Sequence, residues 1–234
     1  MPVSGHTAVA ADQVRESVAE VRARIAAARS RGGHGQDVTL IAVTKTHGPD
    51  AVEAAYAAGV VDVGENKVQE AESKMAVVSA PVRWHLIGHL QRNKARNATR
   101  FDLVHSVDSE RLAVALHEEA TKAGRSLEVL LQVNVSGETS KGGVNRTDVP
   151  ALAKRLHDLP GLRVRGVMTM APFEAAEAEL RTVFTGARIA RAVLQEAGHP
   201  AEWLSMGMSG DYEIAVEEGA THVRLGTVLF GSRI

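Results

Sequence analysis

The stretch Val38-Thr39-Leu40-Ile41-Ala42-Val43-Thr44-Lys45-Thr46 begins the pattern that decides the fold of this chain. A short β-branched and aliphatic run comes first, and three polar residues follow it. Strands covered on both faces are continuously apolar in this way, as in a parallel sheet. Similar runs recur with helical stretches between them, which predicts βαβ units. The eight predicted strands are Val38–Val43, Val61–Gly64, Val82–Ile87, Leu103–Val107, Val129–Val135, Val164–Met170, Trp203–Met206 and His222–Leu225.

The strand count and the length favour a closed barrel. The chain has 234 residues, close to the roughly 250 residues of a (β/α)8 TIM barrel. An amphipathic helix is predicted over Ala8–Arg31, before the first strand. Its apolar positions recur at intervals of three and four residues: Val14, Val18, Val21 and Ile25. We therefore expect one α/β domain over residues 1–234, with residues 1–33 as an N-terminal helical extension. A doubly wound open sheet is the rival architecture.

Composition and charge limit the classes of partner. Hydrophobic residues make up 44% of the chain, the formal net charge is -1, and the basic residues are scattered among acidic ones. This balance predicts neither nucleic acid nor membrane lipid as a partner, and favours small molecules. The chain has no cysteine, which excludes disulfides and thiolate metal sites. Without an apolar run of membrane-spanning length or a signal-like N-terminus, we expect a cytoplasmic protein.

Lys45 is the strongest candidate for a reactive side chain. Functional side chains of a parallel barrel lie at the carboxyl ends of its strands, and Lys45 follows the first strand directly. Desolvation at a barrel mouth favours the neutral amine, which is the form that reacts with an aldehyde to give a Schiff base. The other six lysines fall in predicted helices or loops, where we expect solvation. The alternative is a lysine whose ammonium reaches water at a strand end.

Two glycine-rich turns follow the last two strands. Ser205–Asp211 and Gly226–Ser232 offer backbone N–H groups that a ligand can approach closely, and a helix is predicted to begin near Ser209. Loops in these positions recurrently bind phosphate in such barrels. One glycine-rich turn alone is usually only a tight turn, but two in the expected loops predict a phosphate site.

Arg224 and two histidines need separate interpretations. Arg224 lies within the last strand, and if its side chain points into the barrel the fixed cation needs a partner there. That partner is either a ligand's ring nitrogen or phosphate, or a carboxylate such as Glu65. His85 and His89 lie four residues apart without an evident third ligand, so we expect core packing or hydrogen bonding and no metal site.

These residues belong to segments that resemble the pyridoxal phosphate homeostasis proteins, the YggS/PROSC family of single-domain relatives of the alanine racemase barrel. The resemblance covers nearly the whole chain. Two departures from the family pattern are Lys67, where tyrosine is common, and Thr44, where serine is usual. The matching segments are 42–46, 64–66, 84–94, 105–108, 132–134, 140–143, 166–168, 205–211 and 224–231.

The resemblance implies a fold type III barrel that binds pyridoxal 5'-phosphate (PLP) and a role for each candidate residue. Lys45 forms the Schiff base, and Arg224 faces the pyridine nitrogen. The residues implied to hold the phosphate are Ser205, Ser209, Gly226 and Thr227. Asn66 and Met206 are implied to line the ring faces. Lys67 raises the question of a second, competing adduct.

The residues favour a cofactor-handling role over a dedicated enzyme. Arginine does not give up its proton, so Arg224 leaves the ring nitrogen unprotonated and the electron sink weak. Related racemases accept this weakness and use a tyrosine as second base, but Tyr56 and Tyr212 lie at no evident strand end. We therefore expect a PLP homeostasis protein, a monomer, with apo PLP-dependent enzymes as candidate recipients. The alternatives are an amino-acid racemase of narrow scope and a PLP-free barrel for another phosphorylated metabolite.

Overall fold

The β-strands of the chain close into a parallel barrel. The computed structural model describes residues 10–138 and 142–231. Its strands are β1 (Thr39–Val43), β2 (Asp62–Glu65), β3 (Arg83–Leu86), β4 (Leu103–Val107), β5 (Leu127–Asn134), β6 (Val144–Asn145), β7 (Leu162–Met168), β8 (Trp203–Ser205) and β9 (His222–Leu225). Eight of them lie in the order β4-β3-β2-β1-β9-β8-β7-β5, and β4 also pairs with β5. The short β6 extends the sheet beside β5.

The predicted barrel is confirmed, and the open-sheet alternative is excluded by the β4–β5 pairing. The fifth and sixth predicted strands begin two residues earlier than expected, at Leu127 and Leu162. Leu127 is in register with Leu162, and Glu128 with Arg163. Charged residues at the amino ends of these strands interrupt the apolar run, and this concealed the true starts.

Helices alternate with the strands around the barrel. The first begins at Ala11, and the part of its predicted range at residues 8–9 lies outside the described residues. No helix in the described ranges has the length and apolarity needed to cross a membrane. The α-helices are α1 (Ala11–Gly32), α2 (Pro49–Ala57), α3 (Val68–Met75), α4 (Ala95–Ala98), α5 (Glu110–Lys122), α6 (Val149–Leu156), α7 (Glu177–Glu196), α8 (Tyr212–Glu217) and α9 (Thr227–Phe230).

The extra N-terminal helix packs against α8, the helix that follows the first glycine-rich turn. A β-carbon at Gly32 would collide with the Glu217 carbonyl oxygen, so the close approach requires glycine. Arg31 Nε also lies 2.5 Å from Glu217 Oε1. Gly33 then ends α1 with a left-handed φ of 69°, which glycine adopts without strain. Helix α1 therefore supports the last part of the barrel from outside. Its buried face consists of Val14, Val18, Val21, Ile25 and Ala28.

Several strands bury polar side chains in an otherwise apolar core. Burying such groups costs free energy unless they are hydrogen-bonded. The buried polar residues of the barrel strands are Asp62, Glu65, His85, His105, Ser106, Gln132, Ser205, His222 and Arg224.

Candidate functional site

A cavity of about 1110 Å³ opens at the carboxyl ends of the strands. Its wall includes apolar side chains such as Met170 and Leu180 as well as polar groups. Such a mixture of apolar surface and a few convergent polar groups is typical of small-molecule sites. Most of the residues predicted from the sequence line this one cavity, namely Lys45, Asn66, Ser209, Arg224, Gly226 and Thr227.

Ser205 and Met206 are the two predicted site residues that do not line the cavity. Both are completely buried and neither belongs to the cavity wall. The Ser205 hydroxyl lies behind Arg224, from which it accepts a hydrogen bond of 2.6 Å. Met206 belongs to the hydrophobic core. Neither side chain therefore reaches the cavity wall, and the phosphate role of Ser205 and the ring contact of Met206 stay predictions.

The backbone on both sides of Lys45 is held by side chains of helix α3. Thr44 O accepts a hydrogen bond of 2.7 Å from Lys74 Nζ, and Thr46 N donates one of 2.5 Å to Glu70 Oε1. Thr46 adopts a left-handed φ of 67°, a conformation that costs a β-branched residue about 1–2 kcal/mol. These contacts fix the half-buried Lys45 at the end of β1 and the entrance of the cavity.

Lys74 is the centre of a buried ionic cluster. Its ammonium lies 2.6 Å from Glu65 Oε1 and 3.0 Å from Glu70 Oε1. With Thr44 O as the third acceptor, all three ammonium donors are used. Burial raises the pKa of Glu65, although the hydrogen bond from Lys74 opposes the shift. The carboxylate that we considered as a partner for Arg224 is thus bonded to Lys74 and to the Thr44 hydroxyl.

The expectation that every lysine except Lys45 is solvated is therefore wrong at Lys74, which is only 3% exposed. The sequence does contain one signal, the i,i+4 spacing of Glu70 and Lys74 in the helix after β2. The same spacing is common on solvated helix faces, so it could not reveal burial. Lys67, in contrast, is exposed and does not line the cavity.

Arg224 is a buried cation at the inner end of the cavity. Its side chain donates to Ser205 Oγ at 2.6 Å and to Thr169 O at 3.0 Å. Within residues 10–138 and 142–231 it forms no ion pair. Burial lowers the pKa of Arg224 to about 10, and the nearby Asp211 carboxyl opposes that shift. The guanidinium remains charged at neutral pH and has further N–H donors for a ligand.

The two glycine-rich turns meet beside Lys45. Ser209 Oγ accepts a 3.4 Å hydrogen bond from Val228 N, which joins the turn after β8 to the turn after β9. A β-carbon on Gly226 would lie 3.3 Å from Val43 O, so this turn packs tightly against the end of β1. Asp211 Oδ1 accepts from Met208 N at 2.6 Å and orders the first turn. An anion bound between the turns would therefore lie close to Lys45.

The two histidines considered as metal ligands occupy separate places. His85 is buried and bonded to Asp62 and His105. His89 lies at the cavity mouth, with its Nδ1 3.2 Å from Asp108 Oδ2. Among the residues that the structure describes, no group of three or more His, Cys, Asp or Glu is arranged to hold a metal ion.

Residues 17–234 match the family described as alanine racemase, N-terminal domain. The pyridoxal phosphate homeostasis protein of Pseudomonas aeruginosa is 46% identical over 223 residues, with 94% of this chain and 96% of that protein covered. The pyridoxal phosphate homeostasis protein of Escherichia coli K12 is 38% identical over 231 residues, with 95% and 97% covered.

Solved structures agree with this relationship. PipY of Synechococcus elongatus PCC7942, determined with PLP bound, superposes with a TM-score of 0.83 at 40% identity and covers 93% of this chain and 100% of its own. Alanine racemase of Corynebacterium glutamicum has a TM-score of 0.74 at 16% identity, covering 96% of this chain and 62% of the racemase. That second likeness shows the shared fold alone. The chain therefore belongs to the alanine racemase N-terminal domain family and, within it, to the pyridoxal phosphate homeostasis proteins.

Proposed function

We propose that this chain binds PLP covalently through Lys45 and serves PLP homeostasis. One observation carries the proposal: Lys45, Arg224 and both glycine-rich turns line a single cavity. PLP has an aldehyde, a phosphate dianion and a ring nitrogen. The cavity has an amine, a cradle of hydroxyl and backbone N–H groups, and a fixed guanidinium, so each group of the cofactor has a chemically suited counterpart.

Each residue has a defined role in this proposal. Lys45 supplies the amine for the covalent link, and Arg224 donates a hydrogen bond to the ring nitrogen. Ser209, Gly226 and Thr227 hold the phosphate through hydroxyl and backbone N–H groups. Asn66 lies beside the ring. The phosphate cradle omits Ser205, because its hydroxyl is already bonded to Arg224 and His105.

The geometry favours a carrier over a dedicated enzyme. When bound, PLP supplies an electron sink that works best with a protonated ring nitrogen, and arginine keeps its own protons. Tyr56 lies on α2 and is 36% exposed, while Tyr212 is buried at the start of α8. In the described part of the chain neither tyrosine lines the cavity, so neither is available as the second base that a racemase of this fold uses.

The space in the cavity also suits release of the cofactor. Its volume of about 1110 Å³ lies slightly above the roughly 300–1,000 Å³ range of ordinary ligand pockets. Lys45 lies at the entrance of this cavity, and we propose that an attacking amine reaches the bound cofactor from that side. We infer that PLP can be transferred to apo PLP-dependent enzymes, which need it covalently bound to their own lysines.

The experiment adds PLP to the purified protein, removes the excess by dialysis, and records the visible absorption of the bound cofactor. We expect a stable band in the wild type and in Lys67→Ala, a matched control at an exposed lysine. Lys45→Ala should lose the band. The loaded wild type should then activate an apo PLP enzyme. A band that persists in Lys45→Ala would overturn the proposal.

The two other functions predict different results. A racemase would exchange the Cα hydrogen of an L-amino acid with solvent deuterium, whereas a carrier leaves it unlabelled. A barrel for another phosphorylated metabolite would stay colourless with PLP and unreactive toward borohydride.

A further inference from the structure

A continuous line of hydrogen bonds crosses the interior of the barrel from β2 to Arg224. His85 Nε2 lies 2.9 Å from Asp62 Oδ1, and His85 Nδ1 lies 2.9 Å from His105 Nε2. His105 Nδ1 lies 2.9 Å from Ser205 Oγ, which lies 2.6 Å from Arg224 Nη1. We call these five residues the Asp62 chain. It joins strands β2, β3, β4, β8 and β9.

With both imidazoles neutral, the donors and acceptors of the Asp62 chain have one consistent direction. The Asp62 carboxylate only accepts, so His85 donates from Nε2 and accepts at Nδ1. His105 then donates from Nε2 and accepts at Nδ1. The Ser205 hydroxyl consequently donates to His105, and its oxygen accepts from Arg224. Arginine can only donate, so the chain ends without a conflict at either end.

The surroundings favour this arrangement. Burial lowers the pKa of His105 well below its usual range, which keeps its ring neutral. Burial raises the pKa of Asp62, but the hydrogen bonds from His85 and Arg83 outweigh it and the net shift is downward. Arg83 Nη2 lies 2.7 Å from Asp62 Oδ2 and is itself largely exposed. The carboxylate at the outer end of the chain is therefore held in its charged form.

We propose that Asp62, His85, His105 and Ser205 are positioning residues for Arg224, and that they fix and polarise the guanidinium that meets the ring nitrogen of PLP. This inference rests on the proposed function for its cofactor. Arg224 is 5% exposed and has no ion pair among the described residues, so its orientation depends on neutral acceptors. The Asp62 chain connects these neutral acceptors to the carboxylate of Asp62. Hydrogen bonds in such a series polarise one another.

The test compares two variants at opposite ends of the chain with one matched control. Ser205→Ala removes the link next to Arg224, and Asp62→Asn keeps the shape at the far end but removes the charge. The control is Asp102→Asn, which makes the same change of charge as Asp62→Asn at the same end of the barrel. Asp102 bonds to Trp84 N instead and lies outside the chain. Circular dichroism establishes whether each variant is folded. If Ser205→Ala does not fold, the comparison of Asp62→Asn with Asp102→Asn tests the inference by itself.

The first measurement uses apo protein with 15N-labelled histidine at pH 8. We expect both His85 and His105 to carry their proton on Nε2, and both resonances to move in Asp62→Asn but not in Asp102→Asn. The second measurement follows release of PLP into excess apo-enzyme, together with the absorption maximum of the bound cofactor. Ser205→Ala should release PLP about ten-fold faster or more, because a hydrogen bond to a charged group is lost. Asp62→Asn should do so about two- to ten-fold faster, as expected for coupled residues.

Two results would overturn the inference. One is a release rate and absorption maximum in Asp62→Asn that equal those of Asp102→Asn. The other is a His105 ring protonated on Nδ1, which would reverse the direction of the hydrogen bonds in the Asp62 chain. A wild-type protein that takes up no PLP refutes the proposed function and the contact between Arg224 and the ring nitrogen. The histidine resonances of the apo protein do not depend on PLP uptake. They still decide whether the hydrogen bonds of the Asp62 chain run in the proposed direction.

Discussion

Replacement of Lys74 by methionine should strongly destabilise the protein. The Lys74 ammonium neutralises Glu65, which is 0% exposed, and also bonds to Glu70 and Thr44 O. Methionine fills a similar volume but leaves the Glu65 carboxylate buried without its cation. Removing one partner of a buried pair typically costs about 3–5 kcal/mol. We therefore expect Lys74→Met to lower the free energy of unfolding by roughly that amount.

The assay is urea unfolding at pH 7.5, followed by tryptophan fluorescence. The double variant Lys74→Met/Glu65→Gln removes both charges and should recover more than half of the loss. With the single variant Glu65→Gln completing the cycle, we expect a coupling energy of about 2 kcal/mol or more. Because Lys74 holds the backbone before Lys45, the single variant should also take up PLP more slowly at equal folded fraction. A loss below about 1 kcal/mol, or strict additivity of the two substitutions, would refute this reasoning.

Three further predictions concern the site and the core. Gly88→Ala should cost about 1–3 kcal/mol and weaken PLP binding, because the new methyl group meets the backbone of Asn66; Gly210→Ala, where the space is open, should stay within about 0.5 kcal/mol by urea unfolding. Thr46→Gly relieves a φ of 67° and should leave stability unchanged or higher by about 1 kcal/mol while slowing PLP uptake, which stopped-flow absorbance measures. Burial lowers the pKa of His222 from 6.5 to about 3, so the unfolded chain binds the proton first and stability falls as pH drops from about 6.5 toward 3. The slope of up to about 1.4 kcal/mol per pH unit for this ring should disappear in His222→Gln, and an unchanged slope would contradict the assignment.

The barrel was predictable because its strands are apolar runs separated by helices. A buried parallel strand such as β1 is recognised by composition alone, and its end places Lys45 at the mouth. The two turns after β8 and β9 were predictable from their glycine content, and phosphate binding between them stays a prediction. The starts of β5 and β7 were not, since Glu128 and Arg163 interrupt the apolar pattern there.

The surroundings of the site could not be derived from the sequence. Lys74, Glu65 and Thr44 come together only because α3 folds back over the end of β1, and their spacing along the chain does not indicate it. The same holds for His85 and His105, which belong to different strands whose register sets their contact. The phosphate role of Ser205 is implied by the family resemblance, and the sequence gives no sign that its hydroxyl bonds to His105 and Arg224.

The most direct test of the account is peptide mass mapping after PLP-loaded protein is reduced with borohydride. We expect one pyridoxyl phosphate adduct, on the peptide that contains Lys45, and none on that peptide in Lys45→Ala. An adduct mainly on Lys67 or another surface lysine would contradict the assignment of Lys45 as the anchor.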